Sequence, residues 1–203
     1  MKAEGADERS LRLFARLALV TALLTVGLIV FGAVVRVTDS GLGCGNSWPL
    51  CNGTIVPPLD NLTAWIEWLH RLFALLIGVM GLVTLVVGWP LRRTRPLAFA
   101  AVVAAALLFT LQSALGALVV ILDLPPTMVA LHLGTALLLL AALLAAGVAG
   151  LHRRPQTRRA GDQITSLVYV TAALSLVIIL TGALVRGSGA TLACVDWPLC
   201  NGT

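Results

Sequence analysis

Two histidines lie just inside apolar stretches of the sequence, where an ionisable side chain is costly and usually functional. His70 follows Ile66 by four residues, and His132 follows Met128 by four residues, each near the start of its stretch. Because a helix rises about 1.5 Å per residue, we expect both imidazoles at a similar shallow depth. A lone buried histidine is commonly a structural core residue. Two histidines at the same depth on non-adjacent helices instead favour the ligation of a haem or another metal by both imidazoles.

Polar residues near these histidines extend the candidate site. Glu67 precedes His70 by three residues, so the two side chains share one helix face. Gln112 is the one strongly polar residue of its apolar stretch. It either donates a hydrogen bond inside the bundle or links two helices structurally. The third histidine, His152, stands beside two arginines and is expected to be solvated.

Three arginines fall at the same end of the apolar stretches as the two histidines. Arg71 follows His70 directly, and Arg36 and Arg186 end two stretches at matching positions. Guanidinium groups bind the propionates of a haem as forked donors. They also extend to lipid headgroups, and the sequence leaves both interpretations open for Arg36 and Arg186.

All four cysteines lie in two loops, both of which we expect on the oxidising outer side of a membrane. Bridges Cys44–Cys51 and Cys194–Cys200 would each close a short loop that contains Trp-Pro. Such bridges are structural, or they form a redox-active pair, although the spacing is not C-x-x-C. A zinc site is disfavoured because no histidine accompanies these cysteines.

The composition indicates which elements position these residues. Of the 203 residues, 59% are hydrophobic and 11% are charged, and the mean hydropathy is +0.97. A soluble domain has about 45–50% apolar and about 25% charged residues. The composition therefore excludes a water-soluble enzyme and a disordered chain. A nucleic-acid-binding module is excluded as well, because no basic face with stacking aromatics is present.

Five apolar stretches are long enough to cross a membrane, and lipid requires each of them to be helical. The sequence therefore predicts an all-α membrane protein. The stretches are Leu17–Val35, Leu72–Trp89 (with a short amphipathic lead-in, containing His70, that starts near Trp65), Leu97–Leu122, Met128–Leu151 and Ile164–Val185.

The net charge of +5 marks orientation, because 11 of the 14 basic residues fall on one side of these spans. By the positive-inside rule that side is cytoplasmic. We therefore expect a multi-pass protein of the bacterial cytoplasmic membrane, with a cytoplasmic N-terminus and outer cysteine loops. The 11 are Lys2, Arg9, Arg12, Arg16, Arg92, Arg93, Arg95, Arg153, Arg154, Arg158 and Arg159.

An internal repeat organises the chain. Residues 32–54 read GAVVRVTDSGLGCGNSWPLCNGT, and residues 182–203 read GALVRGSGATLACVDWPLCNGT. Four spans separate the copies, which predicts a parallel repeat with both copies on the same side. The expected units are a cytoplasmic tail (1–16), a first four-helix repeat with the candidate site (17–151), a cytoplasmic linker (152–163) and the start of a truncated second repeat (164–203).

Together these motifs resemble the haem A synthase family, and the resemblance covers nearly the whole chain past residue 16. Members have eight membrane helices in two four-helix repeats, so five of an expected eight are present. The matching segments are Gly32-Ala-Val-Val-Arg36, Cys44 to Gly53, Glu67-Trp-Leu-His70-Arg71, Gln112 to His132, and His132-Leu133.

The resemblance implies oxidation of the C8 methyl of haem O to a formyl group through a hydroxylated intermediate, making haem A for cytochrome oxidase. It implies that His70 and His132 are the axial ligands of the substrate haem iron. Glu67 would be the catalytic carboxylate near the reacting edge. Cys44 and Cys51 would form the loop disulfide, with a transient redox role open to them.

The resemblance also implies a haem b cofactor, whose ligands belong to the second repeat and would fall beyond residue 203. We therefore expect these residues alone to be inactive. Besides haem O and membrane lipid, it allows haem O synthase, cytochrome oxidase assembly factors and a homo-oligomer as partners. Two other functions stay open from the residues: a membrane thiol-disulfide oxidoreductase that uses the outer cysteines, and a non-catalytic haem-binding assembly subunit.

Overall fold

Five long helices make up the computed structural model, which describes residues 2–151, 163–194 and 200. All five are long and apolar enough to cross a membrane, which confirms the predicted all-α membrane fold. Short 3-10 turns follow at Trp89–Arg92 and Ala190–Leu192. The helices are α1 (Lys2–Val37), α2 (Leu62–Gly88), α3 (Pro96–Ile121), α4 (Pro126–Leu151) and α5 (Gln163–Gly187).

Helix α1 begins at Lys2, well before the expected span at Leu17. The segment expected as a tail is rich in Glu, Arg and Leu, which are good helix formers. Leu11 and Phe14 of this segment are buried and pack with Leu91 and Val102 at the end of the bundle where α1 begins. The hydropathy of the apolar run therefore marks the membrane-crossing part of α1 and misses its packed polar end.

Helix α2 also begins earlier than its apolar run, at Leu62 instead of Leu72. Asn61 caps it, because the side-chain oxygen of Asn61 accepts a hydrogen bond of 3.0 Å from the Ala64 amide. Glu67 and His70 consequently lie well inside the helix, where the backbone fixes their directions. The linker expected at 152–163, with His152, lies outside the described residues except for residue 163.

Helices α1 to α4 form a closed ring. Helix α1 packs on α2 and α4, and α3 packs on the same two helices, so α2 and α4 stand diagonally opposite. Ala18, Ala22, Ala105 and Ala146 are almost completely buried, and their small side chains let the helices approach closely. Helix α5 packs against α4 outside the ring, and none of its described residues is buried.

Replacing Gly147 with alanine is expected to destabilise the contact between α1 and α4. A Cβ at this position would lie 2.6 Å from Cγ of Leu19 and 3.4 Å from the carbonyl oxygen of Ala15. Such overpacking typically costs about 1–3 kcal/mol. Thermal unfolding in detergent should show a lower midpoint than wild type. Gly27→Ala is the control, because its Cβ would meet no atom within 4 Å; equal midpoints for the two variants would contradict the packing.

Candidate functional site

A cross-linked loop between α1 and α2 covers the end of the ring where α1 ends and α2 begins. Cys44 and Cys51 form a disulfide with an S–S distance of 2.07 Å. Both cysteines are fully buried and pack with Ala64 and Trp68 of α2. The sulfur atoms are therefore shielded from a thiol exchange partner, which does not favour the thiol oxidoreductase alternative.

Glu67 and Arg71 fasten this loop to α2. Glu67 is 3% exposed, and its Oε2 accepts a hydrogen bond of 2.8 Å from the Cys44 amide. Its other carboxylate oxygen forms an ion pair with Arg71. The Arg71 guanidinium also donates to the carbonyl oxygens of Ser47 and Leu50, each at 3.1 Å. Both carboxylate oxygens of Glu67 are thus engaged, and the loop is held by charge-assisted bonds.

His70 faces the ring interior from α2. Its imidazole lies against Gly32 of α1, where a Cβ would be only 3.2 Å from the ring carbon Cε1. The Phe31 ring is 5.9 Å away, centroid to centroid. The Nδ1 atom of His70 is buried and has no hydrogen-bond partner in the described residues.

His132 is placed in the same way on the diagonal helix. Its imidazole lies against Gly116 of α3, where a Cβ would be 3.0 Å from Cε1. Its Nε2 is 3.1 Å from Nε2 of Gln112. The Nδ1 of His132 and the Oε1 of Gln112 are buried without partners in the part of the chain that the structure describes.

This arrangement fits a planar, apolar ligand that carries a metal. Buried polar atoms are nearly always hydrogen-bonded, so the three orphaned atoms need an explanation. They belong to His70, His132 and Gln112, on three helices of one ring. Imidazoles from two diagonal helices can bind the two axial positions of a haem iron. The residues present therefore suit a haem better than a tight metal ion site.

The three arginines do not converge on one point. The Arg71 guanidinium contacts Glu67 and the cysteine loop. Arg186, in the last turn of α5, lies 3.9 Å from the carboxylate of Asp39. Arg36 is half-buried in the last turn of α1. Cys194 and Cys200 follow α5 in the sequence and form the second disulfide, with an S–S distance of 2.15 Å.

Several contacts of the site were not predicted from the sequence. The spacing of four residues between Glu67 and Arg71 could have indicated their ion pair. Nothing local indicates that the Cys44 amide meets Glu67, or that Asn46 donates a 2.6 Å hydrogen bond to Asp123 in the loop between α3 and α4.

Comparison with known proteins places the chain in a family. A family model described as cytochrome oxidase assembly protein (COX15-CtaA) matches residues 15–203. A heme A synthase of Geobacillus thermodenitrificans is 36% identical, over 95% of this chain and 61% of the relative. The heme A synthase of Bacillus licheniformis is 33% identical, over 91% of this chain and 62% of the relative. The heme A synthase of Symbiobacterium thermophilum is 35% identical, over 86% of this chain and 59% of the relative.

The chain therefore spans about three fifths of the length of the curated relatives it matches. The match to the family model, in contrast, covers nearly the whole of this chain. It includes α1 from residue 15 onward, α2 to α5, both cysteine loops and both histidines of the ring. The chain belongs to the COX15-CtaA family of cytochrome oxidase assembly proteins.

Proposed function

We propose that this chain provides the substrate site of a haem A synthase, in which the C8 methyl of haem O is oxidised to a formyl group. The observation that carries the proposal is the pair of imidazoles on diagonal helices, each packed on a glycine of a neighbouring helix. Family membership and the relatives named heme A synthase support it.

In this proposal His70 and His132 bind the iron of the substrate haem and orient its macrocycle between α2 and α4. Ligation through Nε2 of His132 requires the Gln112 amide to turn away from that nitrogen. Arg36, at the outer end of α1, is assigned to a haem propionate as a forked donor. Arg71 and Arg186 would reach a propionate only by releasing their present partners.

Glu67, which lies one helix turn before His70 on α2, is assigned as the catalytic carboxylate. Conversion of a methyl to a formyl group by water releases four electrons and four protons, in two steps through a hydroxymethyl group. A carboxylate beside the reacting carbon stabilises positive charge that develops there, or accepts a proton from the attacking water. The loop held by Glu67 covers the site and limits the entry of bulk water. The four electrons must pass to an acceptor outside this chain. The resemblance adds haem b, which would carry them one at a time and to which no residue of this chain is assigned.

The proposed setting is a bacterial cell membrane. The described arginines at the inner end of the ring lie near the start of α1 and between α2 and α3, which supports a cytoplasmic N-terminus. The loop with Cys44 and Cys51 then lies outside, where oxidising conditions maintain its disulfide. Haem O synthase and cytochrome oxidase assembly factors are the proposed protein partners, since they would deliver the substrate and receive the product.

The test is to express the chain, joined to the second repeat of a relative, in cells that make haem O but no haem A, and to analyse the haems extracted from their membranes. We expect haem A, or its hydroxylated intermediate, to accumulate. Haem bound to the purified chain without conversion would instead favour the non-catalytic assembly subunit. A chain that binds no haem at all would overturn the proposal.

A further inference from the structure

An inner cavity of about 160 Å³ lies inside the four-helix ring, away from the cysteine loop. All four helices line it, and Thr21, Gly81, Ala106 and Leu143 are among its lining residues. The histidines and Glu67 do not line it, so the cavity is separate from the site described above.

The cavity continues the histidine site along the ring axis. Ile77 and Leu139 line the cavity, and they follow His70 and His132 by seven residues each. Seven residues are two helical turns, so each pair shares one helix face with a separation of about 10 Å along the axis. A ligand held between the histidines therefore has the cavity directly beneath its inner edge.

The apolar lining of the cavity favours a hydrocarbon ligand. Its two polar side chains donate within their own helices: the Thr21 hydroxyl to the Leu17 carbonyl at 2.8 Å and the Thr110 hydroxyl to the Ala106 carbonyl at 3.1 Å. The remaining lining residues are aliphatic, aromatic or glycine. An apolar cavity of about 150 Å³ stays dry and binds benzene, a molecule of six carbons. One branched five-carbon isoprene unit has a similar size.

We propose that the inner cavity holds an isoprene unit of the long side chain of haem O, and so selects haem O over protohaem. The inference rests on the proposed function, which supplies the haem at the histidines. Haem O carries this isoprenoid chain at a macrocycle edge where protohaem carries a vinyl group. The two haems share their iron and propionates, so the histidines and arginines cannot distinguish them, whereas an apolar cavity beneath the inner edge can.

Gly81→Leu tests the proposal, because it fills the cavity from α2. A Cβ at Gly81 would meet no atom within 4 Å, so the new side chain enters open space. Purified chain in detergent is titrated with haem O and, separately, with protohaem, and the haem spectrum is followed. Wild type should bind haem O more tightly. Gly81→Leu should weaken haem O binding at least about tenfold, through the loss of buried methylene contacts, and leave protohaem binding unchanged.

Two further variants make the result specific. Ala106→Leu fills the same cavity from α3 and should give the same selective loss. Gly27→Leu places a leucine on the exposed face of α1, where a Cβ also meets nothing within 4 Å, and should leave both affinities unchanged.

The outcomes separate this inference from the proposed function. Unchanged haem O binding in both filled variants would overturn the inference. Equal losses for both haems would overturn it as well. If wild type binds neither haem in a His70-dependent manner, the proposed function itself fails.

Discussion

Replacing both His70 and His132 with alanine should abolish the low-spin haem spectrum of the purified chain. Each imidazole is one axial ligand in the proposed site, and losing both removes every protein bond to the iron. Changing an outer-shell partner of a metal ligand already costs roughly 10–100-fold in affinity, so the double variant should lose more. Each single variant should retain weakened binding with a changed spin state.

The variants should still fold, which keeps the result interpretable. The Nδ1 atoms of both histidines have no partner in the described residues, so their removal breaks no protein hydrogen bond at those atoms. His132→Ala removes one partner of Gln112, and unfolding midpoints will report any cost. The third histidine in the chain supplies a matched control, because His152→Ala should leave the spectrum unchanged. Full haem binding by the double variant would refute the ligand assignment.

In the chain joined to the second repeat of a relative, Glu67→Gln should leave haem bound but reduce haem A formation by about 100-fold or more. General acid–base groups contribute roughly 10²–10⁴-fold to a reaction rate, and the amide can neither accept a proton nor stabilise positive charge as a carboxylate does. The amide oxygen can still accept the hydrogen bond from Cys44, so the loop stays attached to α2. Extracted haems and the bound-haem spectrum should be measured on the same membranes.

Glu8→Gln is the matched control for this variant. Glu8 is an exposed carboxylate that pairs with Arg12 at 3.8 Å on the same helix face, far along α1 from the site. Its replacement should change neither haem binding nor haem A formation. If Glu67→Gln forms haem A at the wild-type rate, Glu67 acts only as a positioning residue for the loop.

The helices of the fold could be predicted because lipid permits few alternatives. Every apolar run became one helix, since no water is present in the membrane core to satisfy an open backbone. The helix starts were harder. Asn61 begins α2 in a polar stretch that hydropathy assigns to a loop, and its cap depends on a hydrogen bond to Ala64. The interior of a span follows from composition, while its ends depend on individual side chains.

The candidate site also has residues that the sequence predicts and contacts that it does not. His70, His132 and Glu67 stood out because ionisable groups are rare at membrane depth. Their neighbours did not, because Gly32 and Gly116 carry no chemistry and matter only where an imidazole lies against them. The bond between Cys44 and Glu67 joins residues 23 positions apart, across a loop with no periodicity to indicate its path. Such contacts depend on how the ring closes.

The outer loop is attached at more than one side, which bears on how a substrate arrives. Glu67 and Arg71 fix it to α2, and Asn46 bonds to Asp123 in the loop between α3 and α4. A lid fixed to opposite sides of the ring cannot swing open as a flap without breaking several polar contacts together. Haem O is strongly apolar and concentrates in lipid. Under the proposed function, haem O therefore enters laterally, between two helices from within the membrane, and residues that face the lipid control the rate of loading.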